Sequence, residues 1–383
     1  MTSDTIDDFR IEVSDEEIDD LRARLRATRW PDQIPGSGWG YGTDLEYLRD
    51  LCEYWANTFD WRAQEARFNR WPHHRTEIDG HPVHFIHARS PEPDALPLLV
   101  THGWPGSVAE FLDVIEPLRD PRAHGGDPAH AFHVVCPSIP GYGWSGPTRE
   151  PGWDVRRVAG AWTQLMARLG YDRYGAQGGD WGSMISAQVG HLDPGHVVGV
   201  HLNMVVAFPP PDGGGELSEQ EQQDLADTAV FLNEGSAYQQ IHGKNPQTLG
   251  YGLTDSPAGL ASWIVEKFHA WTDHDGNLED AIDRDHILTN LSVYWFTRTI
   301  NSSVRLYCES QRAGRFPPFD RVEVPVGCAI FPKELVRAPR SWAEHTFNVQ
   351  RWTRFDRGGH FAALEEPDLL IDDVRAFFGA VRA

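Results

Sequence analysis

Short apolar runs alternate with helical periods from about residue 98 to residue 200, and no other feature limits the fold of this chain as strongly. Leu98-Leu99-Val100 reads as one buried strand and Val134-Val135-Cys136 as another. A helix carrying Val155, Val158, Trp162, Leu165 and Leu169 leads to the Gly175–Gly179 region, and Val197-Val198-Gly199-Val200 follows a further helix. Strands separated in this way by helices build a mostly parallel sheet covered on both faces. Ile78, Val83, Phe85 and Ile86 add a hairpin ahead of it. At about residue 205 the alternation stops. Up to residue 318 the chain reads as helices with polar connections. Ser256 caps one, Pro257 takes its first position, and Leu260, Ile264 and Phe268 line it; another carries Leu288, Leu291, Trp295 and Thr299. The strand pattern then resumes over Val322–Phe331 and Val349–Phe355, and a helix over Asp368–Val381 closes the chain.

The first 75 residues read differently. Ser14 and Glu17 form a capping box ahead of Ile18, Leu21 and Leu25, and Leu45, Leu48, Cys52, Trp55 and Phe59 make a second apolar stripe beyond Pro31 and Pro35. The expected organisation is an N-terminal helical arm over 1–75, an α/β core over 76–204, a helical lid over 205–318 and the rest of the core over 319–383.

The formal net charge is −22, which disfavours nucleic acid and anionic membranes as partners. No run approaches the length of a transmembrane helix, and the acidic start, Met1 to Asp8, lacks the form of a signal peptide. A cytoplasmic protein is expected. Cys52, Cys136, Cys308 and Cys328 are dispersed, without metal-ligand spacing, and read as buried small hydrophobes.

The chemistry begins at Gly178-Gly179-Asp180-Trp181-Gly182, between a short strand and a helix. Small residues around a central nucleophile permit the sharp turn of a nucleophile elbow, and here the central side chain is a carboxylate. The strand ending at Thr101 runs into His102-Gly103-Trp104-Pro105-Gly106. In an α/β-hydrolase fold that loop aims a backbone N–H at the nucleophile, so the N–H groups of Trp104 and Trp181 would form an oxyanion hole. His102 is expected to hold the loop. After the last strand, Gly358-Gly359-His360-Phe361 presents His360 as general base. Between nucleophile and base lies Phe331-Pro332-Lys333-Glu334-Leu335. Glu334 is the expected orienting acid, with Asp356 and Glu344 as competitors.

The nucleophile selects the reaction. A carboxylate that attacks an sp³ carbon leaves an alkyl ester, which water can cleave; attack on an ester or amide would leave an anhydride. Epoxide opening or dehalogenation follows, without metal or organic cofactor. Epoxide opening also needs a proton donor for the alkoxide, and a tyrosine suits. The lid offers Tyr238, Tyr251, Tyr294 and Tyr307, and pattern alone does not choose among them. Trp263, Trp271 and Trp295 hint at a hydrophobic pocket but fit a lid core as well.

With these motifs in place the chain resembles the microsomal-type epoxide hydrolases over nearly its whole length. The resemblance runs from Phe9-Arg10-Ile11 and Arg29-Trp30-Pro31, through the Trp104 and Asp180 motifs, to Gln247-Thr248-Leu249, Asp255-Ser256-Pro257, Glu334 and Gly358-Gly359-His360-Phe361-Ala362-Ala363. It implies Asp180 as nucleophile, Glu334 as acid, His360 as base, and Tyr238 and Tyr307 as the tyrosines. The animal enzymes carry a membrane-anchoring segment ahead of the arm, so this chain is more similar to the soluble bacterial members, with detoxification or natural-product biosynthesis as roles. The implied partners are a hydrophobic epoxide and water, with a homodimer left open. The competing readings are a haloalkane dehalogenase, which would share Asp180 but usually carries Asn where Trp104 stands, and a hydrolase fold reduced to a receptor, which would not need His360 and Glu334 together.

Overall fold

The computed structural model describes residues 4–314 and 321–382. Nine strands form one sheet: β1 (Ile6–Phe9), β2 (His73–Ile78), β3 (His81–Ala88), β4 (Leu96–Thr101), β5 (Phe132–Pro137), β6 (Tyr174–Gly178), β7 (Val197–Leu202), β8 (Val322–Ile330) and β9 (Phe347–Arg354). Their order is β1-β2-β3-β5-β4-β6-β7-β8-β9. From β5 to β9 neighbours run parallel, while β1, β2 and β3 pair antiparallel and β3 pairs antiparallel with β5. The parallel strands are covered on both faces, which is why β6 is buried at every residue.

The topology decides where a site can form. After β4 the chain moves outward to β5, then returns to place β6 on the other side of β4. The order therefore reverses between β4 and β6, and a crevice opens at the C-terminal ends of strands at such a point. Thr101 and Gly178, the last residues of β4 and β6, are paired across it. Both candidate motifs leave the sheet there.

The arm is not helical throughout. It contains the helices Asp15–Arg26, Leu45–Asn57 and Trp61–Phe68, but Ile6–Phe9 is a strand at the sheet edge, and the expected boundary at residue 75 falls inside β2. Four residues with only two apolar members, Ile6 and Phe9, carry too weak an alternation to be read as a strand. The helix Trp61–Phe68 was also absent from the expectation; its buried residues are only Trp61 and Phe68. Between β7 and β8 the described chain is helical, including Glu219–Val230, Ala237–Lys244, Pro257–Trp271, Arg284–Thr297 and Arg305–Arg312. The expected boundary at 318/319 lies outside the described residues. The arm grips these helices as well as the sheet: Trp55 Nε1 donates to Ser292 Oγ at 3.1 Å, Tyr54 Oη to Asp285 Oδ1 at 3.0 Å, and Thr43 Oγ1 to the Ser262 carbonyl at 2.6 Å.

The four cysteines are buried and free. Among the described residues no helix is long and apolar enough to cross a membrane.

Candidate active site

Asp180 begins the helix Asp180–Leu192 with φ +49°, a conformation unusual for a residue with a side chain. Such strain costs about 1–3 kcal/mol and persists only where the surroundings impose it. Here they do. A Cβ on Gly182 would lie 1.9 Å from the Thr101 carbonyl oxygen, so only glycine lets the elbow pack against the end of β4. On the facing loop, a Cβ on Gly103 would lie 2.2 Å from Asp180 Oδ1. With none there, the Trp104 N–H reaches that oxygen and donates at 2.7 Å. The Trp181 N–H, free at the helix N-terminus, is a second donor to the carboxylate.

His102 holds the loop. Its Nδ1 lies 3.0 Å from the Gly103 carbonyl and its Nε2 accepts from the Ile139 N–H at 3.2 Å, while burial lowers its pKa to about 4. The ring is neutral and both nitrogens are committed.

His360 is buried, with its backbone N–H on the Trp271 carbonyl at 2.9 Å. Its Nδ1 meets Glu334 Oε1 at 2.7 Å and its Nε2 stands 3.6 Å from Asp180 Oδ2. Burial alone would lower its pKa; Glu334, then Asp180 and Glu110, outweigh burial and raise it to about 9. Burial pushes the Asp180 carboxyl up, against His360 and the two N–H donors. Glu334 follows β8, and its own carbonyl accepts from Arg337 at 2.7 Å. Of its competitors, Asp356 is exposed and Glu344 pairs with Arg340.

The four tyrosines separate cleanly. Tyr251 is 73% exposed, and Tyr294 donates to the Gly106 carbonyl at 2.7 Å, bracing the Trp104 loop. Tyr238 and Tyr307 are buried, lie 5.9 Å apart by ring centroids, and line one pocket with Asp180. Tyr238 stacks on Trp104, with centroids 5.3 Å apart. Burial raises both phenols above the ordinary tyrosine value. The pocket, about 540 Å³, is otherwise mostly apolar, with Met204, Val206, Phe231, Leu335 and Trp342 in its wall. None of Trp263, Trp271 and Trp295 lines it. Trp263 and Trp271 pack around His242 and His360, and Trp295 borders a separate surface cleft.

Sequence reasoning passed over Glu110 and Glu365. Glu365 accepts from the Phe361 N–H at 2.9 Å and the Asp273 N–H at 2.8 Å, fixing the turn that carries His360. The available signal for Glu110 was one acid among Val108, Ala109 and Phe111, all three buried. The residues brought together match a carboxylate nucleophile with paired N–H donors, a buried imidazole and its acid, and two phenols across an apolar pocket. No group of histidines, cysteines and acids among the described residues could hold a metal ion.

A family model described as epoxide hydrolase N terminus matches residues 6–111, and one for the alpha/beta hydrolase fold matches residues 97–229. A protein of Stigmatella aurantiaca (strain DW4/3-1) is 47% identical over 98% of this chain and 85% of its own length. Epoxide hydrolase 1 of Sus scrofa is 39% identical over 98% of this chain and 89% of its own. The crystal structure of juvenile hormone epoxide hydrolase from the silkworm Bombyx mori superposes with a TM-score of 0.92 at 31% identity, covering 100% of this chain and 96% of that one.

Proposed function

The chain belongs to the epoxide hydrolase family, α/β hydrolases that convert an epoxide and water to a vicinal diol, and we propose that it does so through a covalent ester on Asp180. The observation that carries the reading is the position of the Asp180 carboxylate, between two buried phenols on one side and the His360–Glu334 pair on the other. An Asp180 oxygen attacks a ring carbon as the C–O bond of the epoxide breaks. Tyr238 or Tyr307 donates its proton to the departing oxygen, which stays on the substrate as a hydroxyl. Both phenols are buried in a mostly apolar wall, where burial holds the proton on each until a developing alkoxide accepts it.

Ester formation removes the charge of Asp180, one of the charges that hold a proton on His360. The imidazole pKa therefore falls below about 9 when a base is needed. His360 then takes a proton from water, whose oxygen bonds to the Asp180 Cγ. The oxyanion so formed rests on the Trp104 and Trp181 N–H groups, each such donor contributing about 3–4 kcal/mol. Collapse breaks the bond from Cγ to the alkyl oxygen, the alcohol leaves with the proton from His360, and the proton remaining on Asp180 returns to the phenolate. The mostly apolar pocket suits a hydrophobic epoxide, and the acidic surface suits a cytoplasmic enzyme that does not bind polyanions.

Turnover of styrene oxide in ¹⁸O-labelled water tests this, with enzyme in excess for a single turnover. The expected first diol carries no label and Asp180 gains it. Label in the first diol refutes the ester; absence of any diol directs the test to halide release from haloalkanes. Tyr238→Phe and Tyr307→Phe are each expected to slow ester formation by about 10–100-fold, toward the low end for a lost general acid because the second phenol remains. Stopped-flow tryptophan fluorescence reads that step, and an unchanged rate in both variants removes the tyrosines from the mechanism.

A further inference from the structure

Asp180 borders two separate spaces. One is the apolar pocket; the other is a small cavity behind it, lined by His360, Glu110, Gly106, Phe361 and Leu370, and Asp180 is the one residue in both walls. The small cavity offers about 20 Å³ to water centres, room for about one water molecule. Substrate therefore meets Asp180 from one side, and the wall that carries His360 lies on the other.

Glu110 is the unexplained group in that wall. It has no cationic lysine or arginine partner among the described ion pairs, and its carboxyl accepts from the Ser107 N–H. Burial raises its pKa to about 8, with the fields of His360 and Asp180 acting on it in opposite directions. A buried acid without a cation costs stability, and the loop does not need it. Asn290 Nδ2 donates to the Pro105 carbonyl at 2.8 Å, Tyr294 Oη to that of Gly106 at 2.7 Å, and Ser107 Oγ to Asn290 Oδ1 at 2.8 Å. The chain also makes space for the carboxyl: a Cβ on Gly106 would lie 1.3 Å from Glu110 Oε1.

A water that attacks Cγ gives one proton to His360 Nε2 and needs an acceptor to orient the other. Around the cavity, both His102 nitrogens are committed and Asn203 Oδ1 accepts from Gln177 at 2.9 Å. Thr101 Oγ1 is unpartnered, but a hydroxyl can turn to donate as well as accept, whereas the Glu110 carboxyl keeps an acceptor oxygen with or without its proton. We propose that Glu110 is a positioning residue for ester hydrolysis, accepting a hydrogen bond from the water that His360 activates and holding it in the small cavity on the side of Asp180 away from the substrate pocket. The inference rests on the Asp180 ester reading and adds a water site to it. In the step, the water oxygen bonds to Cγ, one proton passes to His360, and the other stays on the attacking oxygen, directed at Glu110.

The test is pre-steady-state kinetics on the full chain with styrene oxide, resolving ester formation from ester hydrolysis, for Glu110→Leu and Glu110→Gln. Leucine removes the acceptor at similar volume, and glutamine keeps an uncharged acceptor oxygen. Expected are hydrolysis slowed by about 100-fold in Glu110→Leu, in line with a misplaced reactant, and by about tenfold in Glu110→Gln. Ester formation should stay within about threefold of the wild type, and the Tm of Glu110→Leu should hold or rise, because hydrocarbon replaces an acid for which burial outweighs the field of His360. Hydrolysis at the wild-type rate in Glu110→Leu overturns the proposal, and so does equal slowing of both steps, which marks a merely structural role. If the wild type itself forms no ester, the underlying reading fails, and that result is distinct from either.

Discussion

Asp180→Ala is expected to lower diol formation by about 10⁴-fold or more, with no burst of enzyme-bound product. A nucleophile that forms the covalent bond has no substitute in its site, and its removal leaves only binding and positioning effects. Ser183 cannot take over: its Oγ donates to the Asp180 carbonyl at 2.8 Å, one turn into the helix. Serine at the elbow would also fail, because a hydroxyl there lacks the charge to displace an alkoxide from sp³ carbon. The fold should tolerate alanine. The Asp180 side chain retains 17% exposure, and burial already penalises its charge. Unchanged Tm with lost turnover is the expected pair of results, measured by product chromatography and calorimetry. Residual turnover above about 1% of the wild type refutes the assignment.

His360→Gln has a different signature. Glutamine offers similar bulk but no base, so the ester should form and persist, visible as an enzyme mass increased by that of the substrate. Steady-state turnover is expected to fall by about 10³–10⁴-fold, within the range for loss of a general base. A shift accompanies the loss. His360 lowers the pKa of Asp180, whose value burial has raised; without the imidazole that pKa rises further. Because only the carboxylate attacks, the acid limb of ester formation should move to higher pH in His360→Gln. Full turnover, or failure to trap any ester above that limb, defeats the assignment of His360.

The candidate site was legible in the sequence where side-chain type and backbone need coincide. Gly178-Gly179-Asp180-Trp181-Gly182 could be read because the turn excludes other residues at the glycines, and the structure gives the reason at Gly182 as a contact with the Thr101 carbonyl. The Gly358-Gly359-His360 loop was legible on similar grounds. Less was visible where the third dimension decides. Four tyrosines look alike in the chain; only packing sends Tyr294 to the Gly106 carbonyl and Tyr238 and Tyr307 to the pocket. Trp263, Trp271 and Trp295 left pocket and lid core both open, since aromatic content does not say which face meets the pocket; none of them lines it. Ile6–Phe9 is too short to show its pairing with β2. Glu110 was missed because one acid in an apolar turn is commonly an exposed residue, and nothing local reports that Gly106 opens space beneath it.

The arm is stitched to the sheet edge through Ile6–Phe9 and to the helices above Asp180 through Thr43, Tyr54 and Trp55. The roof of the site is thus fastened to its floor by a second stretch of backbone, remote from the chain crossings at residues 205 and 321. Any swing of the roof must drag this strap and break its buried Trp55–Ser292 bond. Phe208 and Leu232, both about half exposed in the pocket wall, stand on segments that these three bonds do not reach, so the strap holds one side of the roof and leaves the other to its own packing.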